Sequence, residues 1–163
     1  SLILASLPIE PIPALRKLIE DQELLAQEFD SNLFFINLWP VLFSEDFVNR
    51  DRFRVFRELF MQSGVCFSKD ILHAQLCAAD TWLESNRWTK GCGCPCLFIY
   101  GSDDQLISKD ITLKKLEAMF PKSTIRIIDG AGHGVHIEKH TEFNNVVYDF
   151  LKNHANDYTR AQR

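Results

Sequence analysis

The apolar and polar positions along the chain predict three strands. The stretches "SLILAS" (1–6) and "CLFIY" (96–100) are continuous apolar runs, which is typical of buried strands in a parallel sheet. The third strand, "STIRIID" (123–129), follows a helical pattern that Pro121 is expected to stop. Strands that alternate with helices in this way indicate an α/β fold, in which crossover helices connect parallel strands.

Apolar residues at helical spacing predict the helices of this fold. A first helix is expected to begin near Pro13 and to extend to Phe29. A second follows "CLFIY", with Ser108 or Asp110 as its N-cap. A last helix is expected to begin behind Thr141 as N-cap, with one apolar face formed by Phe143, Val146, Val147, Phe150 and Leu151.

Residues 31–90 carry a different pattern, in which three or so short helices follow one another without a strand. Ser44 and Ser68 are the expected N-caps of two of them. Nine of the 13 phenylalanines lie between Phe29 and Phe67, more apolar surface than short helices can bury among themselves. We therefore expect a helical cap that covers another part of the protein. The predicted organisation is a core strand and helix (1–30), the cap (31–90), a carboxyl-terminal α/β core (91–153) and a polar tail (154–163).

Composition and charge narrow the class of protein. Apolar residues make up 46% of the chain and charged residues 25%, as in ordinary globular proteins. A net charge of −4 gives no reason to expect binding to nucleic acid or to an anionic membrane surface. No apolar run is long enough to span a bilayer, and the first residues lack the basic region of a signal peptide. We therefore expect a cytoplasmic protein whose five cysteines are reduced thiols.

Two loops carry side chains with reactive chemistry. "GSDD" (101–104) follows one predicted strand, and "GAGH" (130–133) follows the next. The carboxyl ends of adjacent parallel strands meet at one edge of a sheet, which is where ligands bind in open α/β folds. An aspartate that accepts a hydrogen bond from Nδ1–H of His133 leaves Nε2 free as a base. Glycines 130, 132 and 134 are expected to let the backbone turn tightly around this histidine.

Four stretches resemble the α/β-hydrolase family. "CPCLFIYGSDDQLI" resembles the strand and turn that present the acid of that family, and "IIDGAGHGVHIEKHTEFNNVVYDFL" resembles its histidine loop and closing helix. "ILHAQLCAADTWLESNRW" is similar to the stretch leading out of the cap, and "SLILAS" to the sheet strand after the nucleophile helix. The family pattern Gly-x-x-Asp implies Asp104 as the acid, with Asp103 as the alternative, and His133 as the base. It implies no cofactor.

The resemblance also implies a missing nucleophile. In this fold the order along the chain is nucleophile, acid, base, and the sequence has no Gly-x-Ser-x-Gly motif before Asp104. The chain resembles the carboxyl-terminal half of a serine-type hydrolase that acts on an ester or thioester. We expect this half to be inactive alone, and to need the amino-terminal half or to associate with itself.

The expected substrate carries an apolar group, because the cap is rich in phenylalanine. The residues expected to contact it lie near the centre of the cap and beside the acid and the base: Trp39, Phe43, Phe47, Leu106 and Val135.

Two alternatives belong to other classes of protein. One is a non-catalytic binding module that uses the phenylalanine-rich cap. The other is a small metal-binding protein that uses "CGCPC" (92–96) or His133, His136 and His140. The cysteine spacing lacks the two-residue gap of common zinc sites, and the flanking glycines argue against a helix that would align the histidines. His136 and Glu138 are expected instead to hold the loop through local hydrogen bonds.

Overall fold

The computed structural model describes residues 1–9, 17, 31–64, 68–85, 93–107 and 109–155. Its strands are β1 (Leu2–Ala5), β2 (Cys96–Gly101) and β3 (Thr124–Ile128). Its helices are α1 (Ser31–Leu42), α2 (Glu45–Val48), α3 (Asp51–Gln62), α4 (Lys69–Glu84), α5 (Lys109–Met119), α6 (Val135–Glu138) and α7 (His140–His154).

The three strands form one parallel sheet in the order β1-β2-β3, which confirms the predicted sheet. The register pairs Leu4 with Phe98, and Phe98 with Ile125. The central strand β2 therefore has a neighbour on each side. The loops after β2 and β3 leave the sheet at the same edge, as the sequence pattern predicts.

The residues of β2 are buried on both faces of the sheet. Phe98 and Tyr100 lie on one face, in a cluster with Leu116 of α5. Leu97 and Ile99 lie on the other, in a cluster that includes residues of α7. Full burial of a large apolar side chain contributes roughly 1.5–3 kcal/mol to the stability of the fold. The packing of β2 therefore holds the start of the following loop in a defined position.

Strand β1 is less buried than its apolar sequence predicts. Ile3 and Leu4 are half-buried, whereas Leu2 is 37% exposed and Ala5 is exposed. The reason is that β2 is the one strand that pairs with β1 among the described residues. The expectation of a fully buried strand is therefore wrong for this chain by itself.

Residues 31–90, the predicted cap, contain four helices in their described part, α1 to α4, with no strand among the described residues. Both predicted N-caps are confirmed. The side chain of Ser44 accepts the N–H of Phe47, and that of Ser68 accepts the N–H of Ile71, at 3.3 and 3.2 Å. Each hydroxyl thereby satisfies one of the amides that a helix start leaves unpaired.

The start of α7 differs from the prediction, whereas one of the two N-caps predicted for α5 stays untested. Helix α5 begins at Lys109, so Asp110 lies inside it and is not its N-cap. The alternative N-cap, Ser108, lies outside the described residues. The predicted first helix also lies outside them, apart from residue 17. Helix α7 begins at His140 with Lys139 as N-cap, so Thr141 is not the cap. The short helix α6 determines that start, because it runs directly into α7. No helix in the described part has the length and hydropathy needed to cross a bilayer.

Candidate active site

Asp104 lies in the loop after β2 and is held by the backbone that follows it. Its Oδ1 atom accepts the N–H groups of Leu106 and Ile107 at 2.9 and 3.1 Å. The side chain is fully buried. Aspartate side chains stabilise turns in this way, and here the turn occupies one carboxylate oxygen and leaves the other available.

His133 lies in the loop after β3, here called the histidine loop. The end of β2 and the loop that follows β2 hold the histidine loop in place. Gly130 turns the chain with a φ of 62°, a conformation that favours glycine. Its N–H donates to Oγ of Ser102 at 2.8 Å, and the N–H of Asp103 donates to the carbonyl of Ala131 at 2.8 Å. The loop of residues 101–104 and the histidine loop (130–133) therefore support each other through one backbone hydrogen bond and one hydrogen bond from backbone to side chain.

The two loops bring Asp104 and His133 into direct contact. Oδ2 of Asp104 lies 3.0 Å from Nδ1 of His133, within the distance expected of an acid and base that act together. A proton on Nδ1 satisfies the buried carboxylate and leaves Nε2 as an acceptor. The imidazole is 23% exposed, so part of the ring is open to solvent.

Asp103, the alternative acid, does not take this position. It is exposed, and its carboxylate accepts the hydroxyl of Ser102 at 2.6 Å. Of the two neighbouring carboxylates, the one at the Gly-x-x-Asp position is therefore the one that contacts the histidine.

Tyr100 packs beneath the acid at the end of β2. Its hydroxyl donates to the carbonyl of Leu7 at 3.0 Å. Burial of the phenol, and after it the negative charge of Asp104, raises the pKa of Tyr100 far above the ordinary value. A neutral phenol is therefore maintained below the carboxylate.

The glycines of the site are required for different reasons. A Cβ on Gly101 would lie 2.1 Å from the carbonyl oxygen of Ala131, so the histidine loop can cross the end of β2 only because this position has no side chain. The expectation that Gly132 and Gly134 serve tight turning is wrong. A Cβ on Gly132 would lie 2.7 Å from the backbone nitrogen of Ser44, and one on Gly134 would lie 2.3 Å from the ring of Phe43. These two glycines let the cap approach closely.

Glu138 holds the histidine loop, as expected, but its contacts extend to the cap. Its Oε1 accepts the N–H of Gly132 at 2.8 Å, which is the predicted local contact. Its Oε2 accepts both the N–H and the hydroxyl of Ser44, at 3.0 and 2.5 Å. His136 is exposed, and its ring lies 6.1 Å from the ring of Phe143.

The aromatic residues predicted to contact substrate pack mainly on one another. Trp39, Phe43 and Phe47 are 4 to 5% exposed and share a cluster with Phe53 and Phe56. The rings of Phe43 and Phe53 are 5.7 Å apart in an edge-on arrangement, which is favourable for aromatic pairs. In the described chain they form an aromatic core among the helices of residues 31–64, and their contact with a substrate stays a prediction.

Leu106 lies two residues after Asp104, and Val135 lies two residues after His133. Leu106 is 9% exposed and belongs to the cluster of Tyr100, whereas Val135 is fully buried in the cluster of Ile128. Both side chains therefore help to hold a loop onto the sheet, and a further role in lining a pocket stays a prediction.

The predicted metal alternatives find no assembled site. Among the described residues, no three histidine, cysteine, aspartate or glutamate side chains gather around a point where a metal ion could bind. Cys92 lies outside the described residues. His140 is engaged elsewhere, with its Nδ1 3.3 Å from the guanidinium of Arg52.

Ser6 is a site residue that the sequence reasoning missed. It follows β1 with a φ of 48°, is buried, and its hydroxyl donates to the carbonyl of His133 at 2.7 Å. A signal was present, because a small polar residue ends a predicted strand of the same sheet. The site therefore draws on the carboxyl ends of all three described strands.

Comparison with known proteins identifies similar structures but no similar sequences. No family model matches the sequence, and no curated protein matches it. A thermophilic esterase from Thermogutta terrifontis matches over 93% of this chain with a TM-score of 0.72 and 19% identity. A carboxylesterase structure from the thaumarchaeon Nitrososphaera gargenis matches over 96% with a TM-score of 0.64 and 20% identity. A meta-cleavage product hydrolase matches over 93% with a TM-score of 0.62 and 15% identity.

The matches cover little more than half of each solved structure. This chain covers 55% of the Thermogutta esterase, 57% of the Nitrososphaera carboxylesterase and 55% of the meta-cleavage product hydrolase. At these identities the likeness concerns the fold.

Proposed function

We propose that this chain, whose fold is the carboxyl-terminal part of the α/β-hydrolase fold, supplies the acid and the base of a Ser-Asp-His triad. The complete enzyme would be a serine-type hydrolase acting on an ester or thioester. The observation that carries the proposal is the 3.0 Å contact between the buried carboxylate of Asp104 and Nδ1 of His133. The similar folds of two esterases and another hydrolase support the reaction class.

The role of each residue follows from its hydrogen bonds. Asp104 has Oδ1 occupied by two backbone N–H groups and Oδ2 directed at His133, so it orients the imidazole. Nε2 of His133 takes the proton of a serine hydroxyl as that oxygen attacks the substrate carbonyl carbon. The carboxylate stabilises the imidazolium that forms. The same Nε2–H then gives the proton to the leaving alkoxide or thiolate, and a water molecule repeats the sequence on the acyl-enzyme.

The nucleophile is proposed to lie outside this sequence. The family places it on a Gly-x-Ser-x-Gly elbow before the acid, and the chain contains no such motif. Ser6 is not assigned this role, because its hydroxyl proton is donated to the carbonyl of His133 rather than placed on Nε2. The cap core around Trp39, Phe43 and Phe47 would give the acyl pocket a rigid apolar wall, completed by Leu106 and Val135 at the loops.

The test begins with the coding sequence upstream of Ser1. Where an in-frame Gly-x-Ser-x-Gly motif precedes it, the longer product is expressed and hydrolysis of a short p-nitrophenyl ester is measured. We expect this product to be active, His133→Ala to abolish activity, and Asp104→Asn to lower kcat by about 10⁴-fold, since the wrong tautomer is then favoured.

Two matched controls separate chemistry from folding. Asp103→Asn makes the same change one position earlier, at an exposed carboxylate, and His136→Ala removes an exposed histidine of the same loop. Both are expected to retain activity within a few-fold. Activity that survives His133→Ala, or a longer product that folds but never hydrolyses esters, would contradict the proposal and favour the non-catalytic binding module.

A further inference from the structure

A buried carboxylate joins the cap to the loop that carries the base. Glu138 is 5% exposed, and three donors converge on its two oxygens. One is the N–H of Gly132, next to His133 in the chain, at 2.8 Å. The other two are the N–H and hydroxyl of Ser44, at 3.0 and 2.5 Å, and Ser44 lies between α1 and α2 of the cap.

The same two segments also meet through the backbone. The N–H of Gly134 donates to the carbonyl of Leu42 at 2.8 Å. No side chain separates the segments at Gly132 or Gly134, since a Cβ at either position would overlap Ser44 or Phe43. The residues before and after His133 are thus both attached to the cap segment 42–44.

We infer that Glu138 is a positioning residue that couples the cap to the base, by holding the backbone of His133 in register with cap segment 42–44. Displacement of this segment would remove acceptors or donors on both sides of His133 and move its imidazole relative to Asp104. A change in the cap, such as the binding of a substrate beneath it, would then reach the base through Glu138. The consequence for catalysis rests on the proposed function, whereas the coupling itself does not.

The geometry requires a carboxylate at this position. All three partners are placed as donors, and a carboxylate is acceptor-only with two oxygens. A glutamine has one oxygen, so its NH₂ group must face either Gly132 or Ser44. One buried N–H is then left without an acceptor, and a lost hydrogen bond to a charged group changes a local opening equilibrium by about tenfold or more.

The decisive variant is Ser44→Ala, because it changes the cap and is read in the loop. Hydrogen–deuterium exchange of the full chain, or of its longer active form, is followed by mass spectrometry in residues 130–134. We expect exchange there to accelerate several-fold in Ser44→Ala and by about tenfold in Glu138→Gln. The strand 124–128 should keep its wild-type rate in both.

Each variant has a control with the same chemical change. Ser68→Ala also removes an N-cap hydroxyl from a cap helix, and Glu142→Gln neutralises an exposed carboxylate in the first turn of α7. Neither should alter exchange in 130–134. In the active form, Glu138→Gln should lower kcat about tenfold with a smaller change in KM, because Gly132 directly precedes the base, whereas the pocket wall keeps the packing of its aromatic rings.

The inference is overturned if Ser44→Ala leaves exchange in 130–134 at the wild-type rate, or if Ser68→Ala accelerates it equally. If Glu138→Gln does not fold, Ser44→Ala and its control decide the question by themselves. If no ester is hydrolysed, the proposed function fails, and the exchange data still decide whether the cap and the loop are coupled.

Discussion

Gly134 offers a direct test of why the histidine loop contains so many glycines. Its φ is −77°, so it lies outside the left-handed region that favours glycine. A Cβ would lie 2.3 Å from Cε1 of Phe43. Gly134→Ala therefore changes the packing between the loop and the cap.

The size of the effect follows from this overlap. Ordinary contact begins near 3.4 Å, so the ring and the new methyl group must separate by about 1.1 Å. The ring cannot yield freely, since Phe47 and Phe56 lie 5.3 and 5.6 Å from it, centroid to centroid. Overpacking of this kind costs roughly 1–3 kcal/mol. The lower entropy of the unfolded alanine chain offsets about 0.4–1 kcal/mol, which leaves a net loss of about 1.3 kcal/mol at the midpoints of the two ranges.

A double-mutant cycle with Phe43→Ala isolates this contact. Alanine removes both Cε1 and Cδ1, which would lie 2.3 and 2.7 Å from the new Cβ, so Gly134→Ala should cost at least about 1 kcal/mol less in the Phe43→Ala background than in wild type. The free energy of unfolding is measured by urea titration, followed by circular dichroism and tryptophan fluorescence. Gly130→Ala serves as the control, because its φ of 62° makes it costly by conformation and its Cβ would meet Lys139 rather than Phe43.

Additive free energies, within about 0.5 kcal/mol, for Gly134→Ala and Phe43→Ala would refute the packing argument. So would a coupling of the same size between Gly130→Ala and Phe43→Ala.

Three further predictions concern the chain as a whole. Because the pKa of Tyr100 is raised in the folded protein, wild-type stability should decline as pH rises above about 10. Near neutral pH, Tyr100→Phe should lower the free energy of unfolding by about 1 kcal/mol. Above about pH 10, urea titrations should show that the stability of this variant declines less steeply with pH than that of wild type. An equally steep decline in both proteins would contradict the prediction. Purified without chelator, the protein should contain far less than one zinc per chain by elemental analysis; a full equivalent lost in Cys94→Ala or His136→Ala would support the metal alternative. The 163-residue chain should associate with itself, as measured by light scattering. A soluble monomer that hydrolyses the ester unaided would contradict the proposal that the nucleophile lies outside this sequence.

Hydrophobic pattern alone was enough to predict much of this fold. The apolar run of "CLFIY" predicts a strand buried on both faces, because a strand with six buried positions in a row needs cover on each side. Ser44 and Ser68 were identifiable as helix caps, since an N-cap depends on residues three positions away. The start of α7 was predicted wrongly at Thr141, because α6 packs against the sheet and determines where the next helix begins.

Part of the candidate site could also be predicted from the sequence, and part of it depends on the tertiary structure. The resemblance of "GSDDQLI" and "GAGH" to known loops was sufficient to select Asp104 and His133. The reason that Asp104 contacts the histidine while Asp103 does not is tertiary: one side chain is buried beneath the histidine loop, and the other faces solvent.

The strands, several helix starts and the contact between Asp104 and His133 could be predicted from residue order, since each follows from local periodicity or from the order of elements along the chain. The folded chain was needed to find that Glu138 binds Ser44, 94 residues away, that Ser6 supports the carbonyl of His133, and that Gly132 and Gly134 serve packing rather than turning. Each of these depends on the distance between segments remote in sequence, and folding alone brings such segments together, because close packing leaves no room for a side chain where two backbones touch.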